Sequence, residues 1–545
     1  MDTSPATPTP DAPRWATQTI VLATLAVMAL LLLTRLGHYA LWDDEAGTAL
    51  EAKGILRTGD TSIVMDHGNY VFYLNAMLVR NFHDRSTPPL ASYLAALSFA
   101  LFGESAWSAR LPFALLGLAT AWLLLRWAAR AGVVPLAVFA LALLGNVSLL
   151  LYFRQCRYYG PAIFFSAAVA WVYWRWRGGT RGLLALAGLS VLLFLSNYLN
   201  YLALYACLAM DYCRWRRHER PLRARDWFTL LGPQVLLNGA AACVWNPLLT
   251  GFGAHEAGNT LAQRLLLCWW NWRDLNRCEY FALPLILMAL ALGLARDHLW
   301  LRRGVVALAV YLAVLALFSP QIVAGTTDAD VRYLAPVIPL GLALETGVIC
   351  ACAQGRPRWA ILGALVVFGC NLFNGGPWLP AGLRSTFVCY VRELAAPLPE
   401  PYTPTAAWIN QNVPAGASVW VVPITNIYPL MFHAPNALYA WQLRWPPDPA
   451  YAQLPAIQFA GREPPDYLIA FGPFLKPMME WVNGMNRPDV HYALVDTLEV
   501  FWSDRYRPEL FWHAFTPTMD FDRRTEAVYV FQRVTPPIAV GKSSG

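Results

Sequence analysis

The stretch Leu41–Leu50 reads "LWDDEAGTAL" and follows directly on "IVLATLAVMALLLLTRLG" (Ile20–Gly37). The apolar run is long enough to cross the hydrocarbon core of a bilayer. Three consecutive carboxylates, Asp43, Asp44 and Glu45, therefore stand where a membrane helix ends. They are either a solvated helix end or a working site, and only the rest of the chain can separate the two.

The chain has 545 residues, 57% of them hydrophobic and only 14% charged. Soluble domains carry about 25% charged residues. Apolar runs recur from Thr17 to about Gly376, and the remainder has a more ordinary polar mix. This predicts a mainly α-helical polytopic membrane protein with a C-terminal extracytoplasmic α/β domain. Its parts are a cytoplasmic tail over 1–16, a transmembrane domain over 17–376 with a first external loop over 40–109, and the α/β domain over 377–545. The N-terminus shows no cleavage signal, so the first helix is expected to be retained.

The net charge of +7 does not indicate a nucleic-acid partner. Arginines concentrate in "RWAARAG" (Arg126–Gly132), "RWRGGTR" (Arg175–Arg181), "CRWRRHERPLRARD" (Cys213–Asp226), "ARDHLWLRRG" (Ala295–Gly304) and "AQGRPRW" (Ala353–Trp359). The positive-inside rule puts these loops in the cytoplasm. Spans near 17–39, 110–127, 133–152, 158–174, 182–196, 198–213, 227–245, 280–296, 305–322, 333–352 and 359–376 satisfy it. That is about eleven helices, with the C-terminal domain outside. "PPLASYLAALSFALFG" (Pro88–Gly103) is too short to count and reads as an interfacial or re-entrant helix. The ten cysteines form no CxxC pair, and Cys268 with Cys278 in one external loop is the only candidate disulfide.

The external face then collects "LWDDEA", "DRSTPPL", "YFRQCRYYGP", "SNYLN", the loop 246–279 and "TTDADVRYLAP". Arg154, Arg157 and Arg332 lie there against the positive-inside trend and call for an anionic partner. Ordinary lipid headgroups would satisfy them, and so would a substrate phosphate. A carboxylate can act as base toward a hydroxyl, and guanidinium forks match phosphate. Arg157 with Tyr158 and Tyr159 stands at a helix start, suited to that second task. Base, clamps and a lipid-facing groove fit sugar transfer from a polyprenyl phosphate. A transporter for a lipid-linked saccharide and a non-catalytic binding partner are the alternatives. No metal-ligand spacing and no glycine-rich phosphate loop is present.

The order of these motifs resembles the integral-membrane glycosyltransferases of the C superfamily. Within it the chain resembles the protein O-mannosyltransferases and the aminoarabinose transferases that modify lipid A. The resemblance rests on Trp42, Asp44 and Glu45, on "GD" at Gly59–Asp60, on "TPPLASYLAALSFALFGESAWSARLPFALLG" (Thr87–Gly117), on "RQCRYYGP" (Arg154–Pro161) and on "RYLAPVIPL" (Arg332–Leu340). It implies Asp44 as the base or acceptor-orienting carboxylate and Glu45 as its support or an acceptor contact. Arg157 and Arg332 would hold the lipid phosphate, with Arg154 and Tyr158 beside them. Where the lipid A enzymes carry Lys before the Pro pair, this chain has Thr87, with Arg85 as the substitute. Asp43, Asp60, Tyr159 and Asn197 are candidates for the sugar or acceptor pocket. The implied partners are a polyprenyl-phosphate sugar, membrane lipids and a hydroxyl acceptor of unknown class. Reaction would invert the anomeric centre, with no cofactor required and a divalent metal left open. The implied location is the inner membrane, with the site on the periplasmic or exterior face.

Overall fold

The computed structural model describes residues 14–71, 79–80, 82–248, 259–279, 283–295, 298–324, 326–370, 372, 385–397, 400–440, 464–484, 487–501 and 525–534. The tail 1–13, part of the segment between Asp60 and Pro88, and most of 371–384 lie outside the described residues.

The chain opens with α1 (Arg14–Leu33) and turns into α2 (Asp43–Thr58). The acidic first turn of α2 and Arg57 in its last turn both complement the helix dipole. Gly59, at φ 77°, ends it in the left-handed conformation, and its N–H bonds the Ile55 carbonyl. α2 is not a solvated helix end: Ala46, Ala49 and Ala52 are fully buried. Gly54 explains how the returning chain fits. A Cβ there would lie 2.1 Å from the Ser62 carbonyl oxygen, so only glycine lets the loop touch the helix.

That loop pairs β1 (Val79–Arg80) with β2 (His83–Asp84). Asp84 then organises the entry to α3 (Leu90–Phe102). Its Oδ1 accepts the Ser86 N–H and hydroxyl, both at 2.8 Å, and its Oδ2 accepts the Thr87 hydroxyl at 2.6 Å. α3 has 13 residues, about 20 Å of helix, too short to cross about 30 Å of hydrocarbon. It packs between α2 and α4 (Ala106–Ala128).

α5 (Val133–Gly145) and α6 (Val147–Phe153) meet at a 66° bend. Asn146 makes the bend by accepting the Leu149 N–H and so starting a new helix. α7 (Tyr159–Arg175), α8 (Thr180–Ser196) and α9 (Tyr198–Asp211) follow. Four further apolar helices, Ala224–Val244, Leu299–Phe318, Ile338–Cys352 and Pro357–Gly369, enclose the bundle with Leu283–Ala295. Every expected span holds a helix. Among the described residues, five are long and apolar enough to cross a membrane, or six with the bent pair as one. The chain is a multi-pass membrane protein, while several of the eleven expected spans are helices of only 13 to 17 residues.

Two expectations change. The segment read as an external loop over 246–279 contains the helix Leu261–Glu279, which buries Leu267, Trp270 and Leu275. Cys268 is a free thiol. Cys268 and Cys278 lie ten residues apart on that one helix, about 15 Å, far beyond disulfide reach.

The C-terminal part forms a five-stranded sheet in the order β4-β3-β5-β7-β6. Its strands are β3 (Ser418–Val422), β4 (Leu438–Tyr439), β5 (Tyr467–Phe471), β6 (His491–Phe501) and β7 (Thr525–Val534). β3 runs parallel to β4 and β5, whereas β7 is antiparallel to both β5 and β6. Val419, Val421 and Ile469 belong to the same buried apolar cluster as the helices. Asn69 reaches from the loop after α2 to the edge strand β4. Its carboxamide donates to the Ala437 carbonyl and accepts the Tyr439 N–H, each at 2.8 Å, occupying the place of a sixth strand.

Candidate active site

Asp44, Arg157 and Arg332 meet. The Asp44 Oδ2 lies 3.0 Å from Arg157 Nη2 and 3.1 Å from Arg332 Nη1. Arg157 Nη1 also donates to the Asp44 carbonyl and the Thr48 hydroxyl, both at 3.2 Å. Arg332 is held from behind by Asp330, through Nε at 2.8 Å and Nη2 at 2.7 Å. All four side chains keep partial exposure, between 13% and 28%. Tyr158 lies beneath: the Arg157 guanidinium sits 5.6 Å from its ring centre, and the ring stacks with Tyr333 at 6.3 Å. Tyr159 packs against Tyr158 and Tyr152 and is buried in the core.

Glu45 does not face this group. It is fully buried, and Arg110 binds it through Nε at 2.9 Å and Nη2 at 2.6 Å. Its Oε1 also accepts the Cys156 N–H at 2.7 Å. Glu45 adjoins Asp44 and Cys156 adjoins Arg157, so this bond fixes Asp44 and Arg157 relative to one another. Burial rules out the acceptor contact expected for Glu45 and makes it a positioning residue.

Arg154 is also committed elsewhere. Its guanidinium donates to the carbonyls of Leu31, Leu32, Thr34 and Arg35. These carbonyls lie at and just beyond the end of α1, so Arg154 caps a helix rather than joining the Asp44 group. Asn197 likewise caps α9, accepting the Asn200 N–H at 2.9 Å, and is buried there.

Arg85 and Asp60 find each other, in a fork at 2.7 and 2.6 Å. The Arg85 guanidinium holds the Asp60 carboxyl down to about 2. They form a second charged cluster, with Trp245 over Arg85 at 6.0 Å. The Thr61 hydroxyl, bonded to the Asp84 carbonyl at 2.7 Å, ties it to the start of α3.

Sequence reasoning missed four residues here. Asp330 stands two positions before Arg332, a spacing at which a carboxylate can reach the guanidinium. Glu51, on the same face of α2 as Asp44 and Thr48, accepts the Ser92 hydroxyl at 2.8 Å. Burial, and then the neighbouring Asp84, push its carboxyl up. Arg110 sits near the start of an apolar helix, where an ionisable group implies a partner. Tyr428, on the helix Ile427–His433, gave no signal. Its helix packs against α2, and burial, then Asp43, Asp44, Glu51 and Asp84, push its phenol up.

His433 on the same short helix accepts the Leu41 N–H at 3.2 Å. Burial first, then Arg110 and Lys53, draw its imidazole down to about 4. An unfolded histidine titrates near 6.5. Between those values the unfolded chain binds a proton that the folded chain refuses, so stability falls as pH drops from about 6.5 toward 4. Acidification from pH 7 to about 4.5 is expected to cost about 2 to 3 kcal/mol through this group. Thermal unfolding at the two pH values checks it. His433→Gln should flatten the difference, and an unchanged slope would exclude His433 as its source.

Residues 86–245 match the family model described as dolichyl-phosphate-mannose-protein mannosyltransferase. No curated protein sequence matches the chain. Among solved structures it is similar to ArnT from Cupriavidus metallidurans in the apo state, with TM-score 0.56 and 14% identity over 94% of this chain and 98% of that one. The same protein bound to undecaprenyl phosphate matches with TM-score 0.56 and 13% identity, with the same coverage. At that identity the likeness concerns the fold alone, and the family model covers residues 86–245 of the 545. Over residues 86–245 the chain thus resembles the dolichyl-phosphate-mannose-protein mannosyltransferases, and its fold is similar to that of ArnT.

Proposed function

We propose that the protein transfers a sugar from a polyprenyl-phosphate donor to a hydroxyl acceptor, with inversion, at the outer face of the inner membrane. The observation that carries this is one carboxylate oxygen between two guanidinium groups brought from residues 157 and 332. The family match and the likeness to a structure solved with undecaprenyl phosphate bound support the donor class.

Without donor, Asp44 and the two arginines neutralise one another. The donor phosphate takes the guanidinium forks, because a phosphate offers more acceptor oxygens in matching geometry. Asp44 Oδ2 is thereby released toward the acceptor hydroxyl. The acceptor oxygen attacks the anomeric carbon as its proton passes to Asp44. The bond from that carbon to the phosphate oxygen breaks, and the polyprenyl phosphate leaves with the electron pair, held by Arg157 and Arg332. In-line displacement leaves the anomeric centre inverted. Asp330 keeps Arg332 oriented throughout.

The reaction is proposed to need no cofactor. Chelator-treated protein should therefore keep its full rate, and recovery only on adding a divalent metal would overturn that part. The clamp is tested by Arg157→Ala. Loss of charge-assisted bonds worth about 1.5 to 3 kcal/mol weakens donor binding by roughly ten- to a hundredfold. Titration with a fluorescent or radiolabelled polyprenyl-phosphate sugar reads the change, and unaltered affinity removes the clamp role.

A further inference from the structure

At the end of the bundle far from Asp44, the arginine-rich loops close around a chamber of about 910 Å³. The distance follows from the helices. The turn after α1 abuts the start of α4, where a Cβ on Gly37 would meet Trp107 at 2.6 Å. Arg130, just beyond α4, and Thr17, near the start of α1, lie together at the other end, about 30 Å away.

Arg130, Arg175, Arg177, Arg216, Arg220 and Arg303 line the chamber, with Trp174 and one carboxylate, Glu219. Charge asymmetry alone would leave such arginines spread and solvated, but four of these, Arg130, Arg175, Arg216 and Arg303, are held against aromatic rings. Arg303 is pinned by Asp211 at 2.6 Å and lies over Trp174 at 4.2 Å. Arg130 and Arg175 both lie over the Trp171 ring, at 4.8 and 5.0 Å. Arg216 is only 5% exposed and lies over Tyr173 at 4.6 Å, and its Nε makes no hydrogen bond. Among the described residues, none of these arginines except Arg303 has a carboxylate in salt-bridge range. Like charges held this close favour an anion among them, and guanidinium donors suit a phosphate.

A second cavity of about 610 Å³ shares Arg130 and Arg175 with the chamber. It runs between α1, α4 and α7, along Val21, Leu22, Leu25 and Trp122. This groove distinguishes a lipid from a soluble phosphate, because an apolar trough leading out of a cationic chamber has the shape of a chain behind a headgroup.

We propose that chamber and groove form one binding site for an anionic glycerophospholipid of that leaflet, its phosphate among the arginines and one acyl chain along α1. The site is separate from the sugar-transfer site, and its test has no activity readout.

The full-length protein is delipidated in detergent and offered phosphatidylglycerol or phosphatidylcholine with identical chains, with bound lipid read by native mass spectrometry. Phosphatidylglycerol should bind at least about tenfold tighter, with a preference that shrinks as salt rises. The triple variant Arg130→Gln, Arg175→Gln, Arg177→Gln keeps the buried Arg216 and Arg303 and should lose the preference. Arg177→Gln alone, at an exposed position, should lose part of it and covers the case in which the triple variant fails to fold. Leu25→Trp fills the groove and should weaken lipid binding while leaving inorganic pyrophosphate binding unchanged. Equal binding of the two lipids, or a preference that survives Arg177→Gln and the triple variant alike, overturns the site. Inorganic pyrophosphate competing as well as the lipid overturns the lipid assignment, and so does a polyprenyl phosphate binding more tightly than phosphatidylglycerol.

Discussion

Asp44→Asn is expected to lower the rate of sugar transfer by about a thousandfold, within the 10²–10⁴ range typical for loss of a positioned base. The amide keeps the shape of the side chain and can still face Arg157 and Arg332, so the fold should survive. Donor affinity is expected to hold or rise. In the native protein the phosphate must displace a carboxylate that sits 3.0 and 3.1 Å from the two clamps. The amide is neutral and competes less well for them. The signature is therefore a split, with the turnover number collapsing while the donor dissociation constant stays level or drops. Single-turnover assays with a polyprenyl-phosphate sugar and an equilibrium binding measurement read the two halves. A variant that transfers sugar at the native rate would remove Asp44 from the chemistry. One that loses donor binding in parallel would make it a structural residue.

The second large effect concerns stability. Arg110→Ala is expected to destabilise the protein by about 3 to 5 kcal/mol, because it leaves the fully buried Glu45 without its counter-ion. It also releases the carbonyls of Leu36, Tyr39 and Ala40, which Arg110 holds at 3.1, 2.8 and 3.0 Å. Replacing both partners at once, Glu45→Leu with Arg110→Met, should cost less than the two truncations summed, since it strands no charge, although the three carbonyls and the Cys156 N–H still lose their partners. That double variant should fold and yet transfer poorly, because the Glu45–Cys156 bond that aligns Asp44 with Arg157 is gone. Thermal unfolding in detergent and transfer assays on the single and double variants separate the two roles. Full activity in the double variant would show that the alignment is maintained elsewhere.

Asp44, Arg157 and Arg332 were legible in the sequence because each breaks a compositional rule where it stands, as a charge at the edge of an apolar run or an arginine against the positive-inside trend. Arg154 breaks the same rule and was grouped with them. Its capping of α1 depends on where that helix ends in space, which spacing along the chain does not express. Asn197 illustrates the same limit, since its cap exists only because α8 and α9 break there. The helix Leu261–Glu279 was hidden because its one continuous apolar run, Leu265–Trp270, is far too short for a span and is flanked by charged and polar residues. Tyr428 was out of reach for another reason: nearly four hundred residues separate it from the carboxylates it faces, and nothing in its immediate neighbourhood marks it.

The Asn69 carboxamide on β4 links parts of the chain that are synthesised far apart. Its partners lie 368 and 370 residues later. The segment that follows α2 therefore gains its final anchor only after the ribosome has passed Tyr439, long after the helices have begun to insert. A chain cut short before β4 would leave the Asn69 carboxamide without these two partners. The strand edge of the tail and the loop after α2 therefore reach their final arrangement together, late in synthesis.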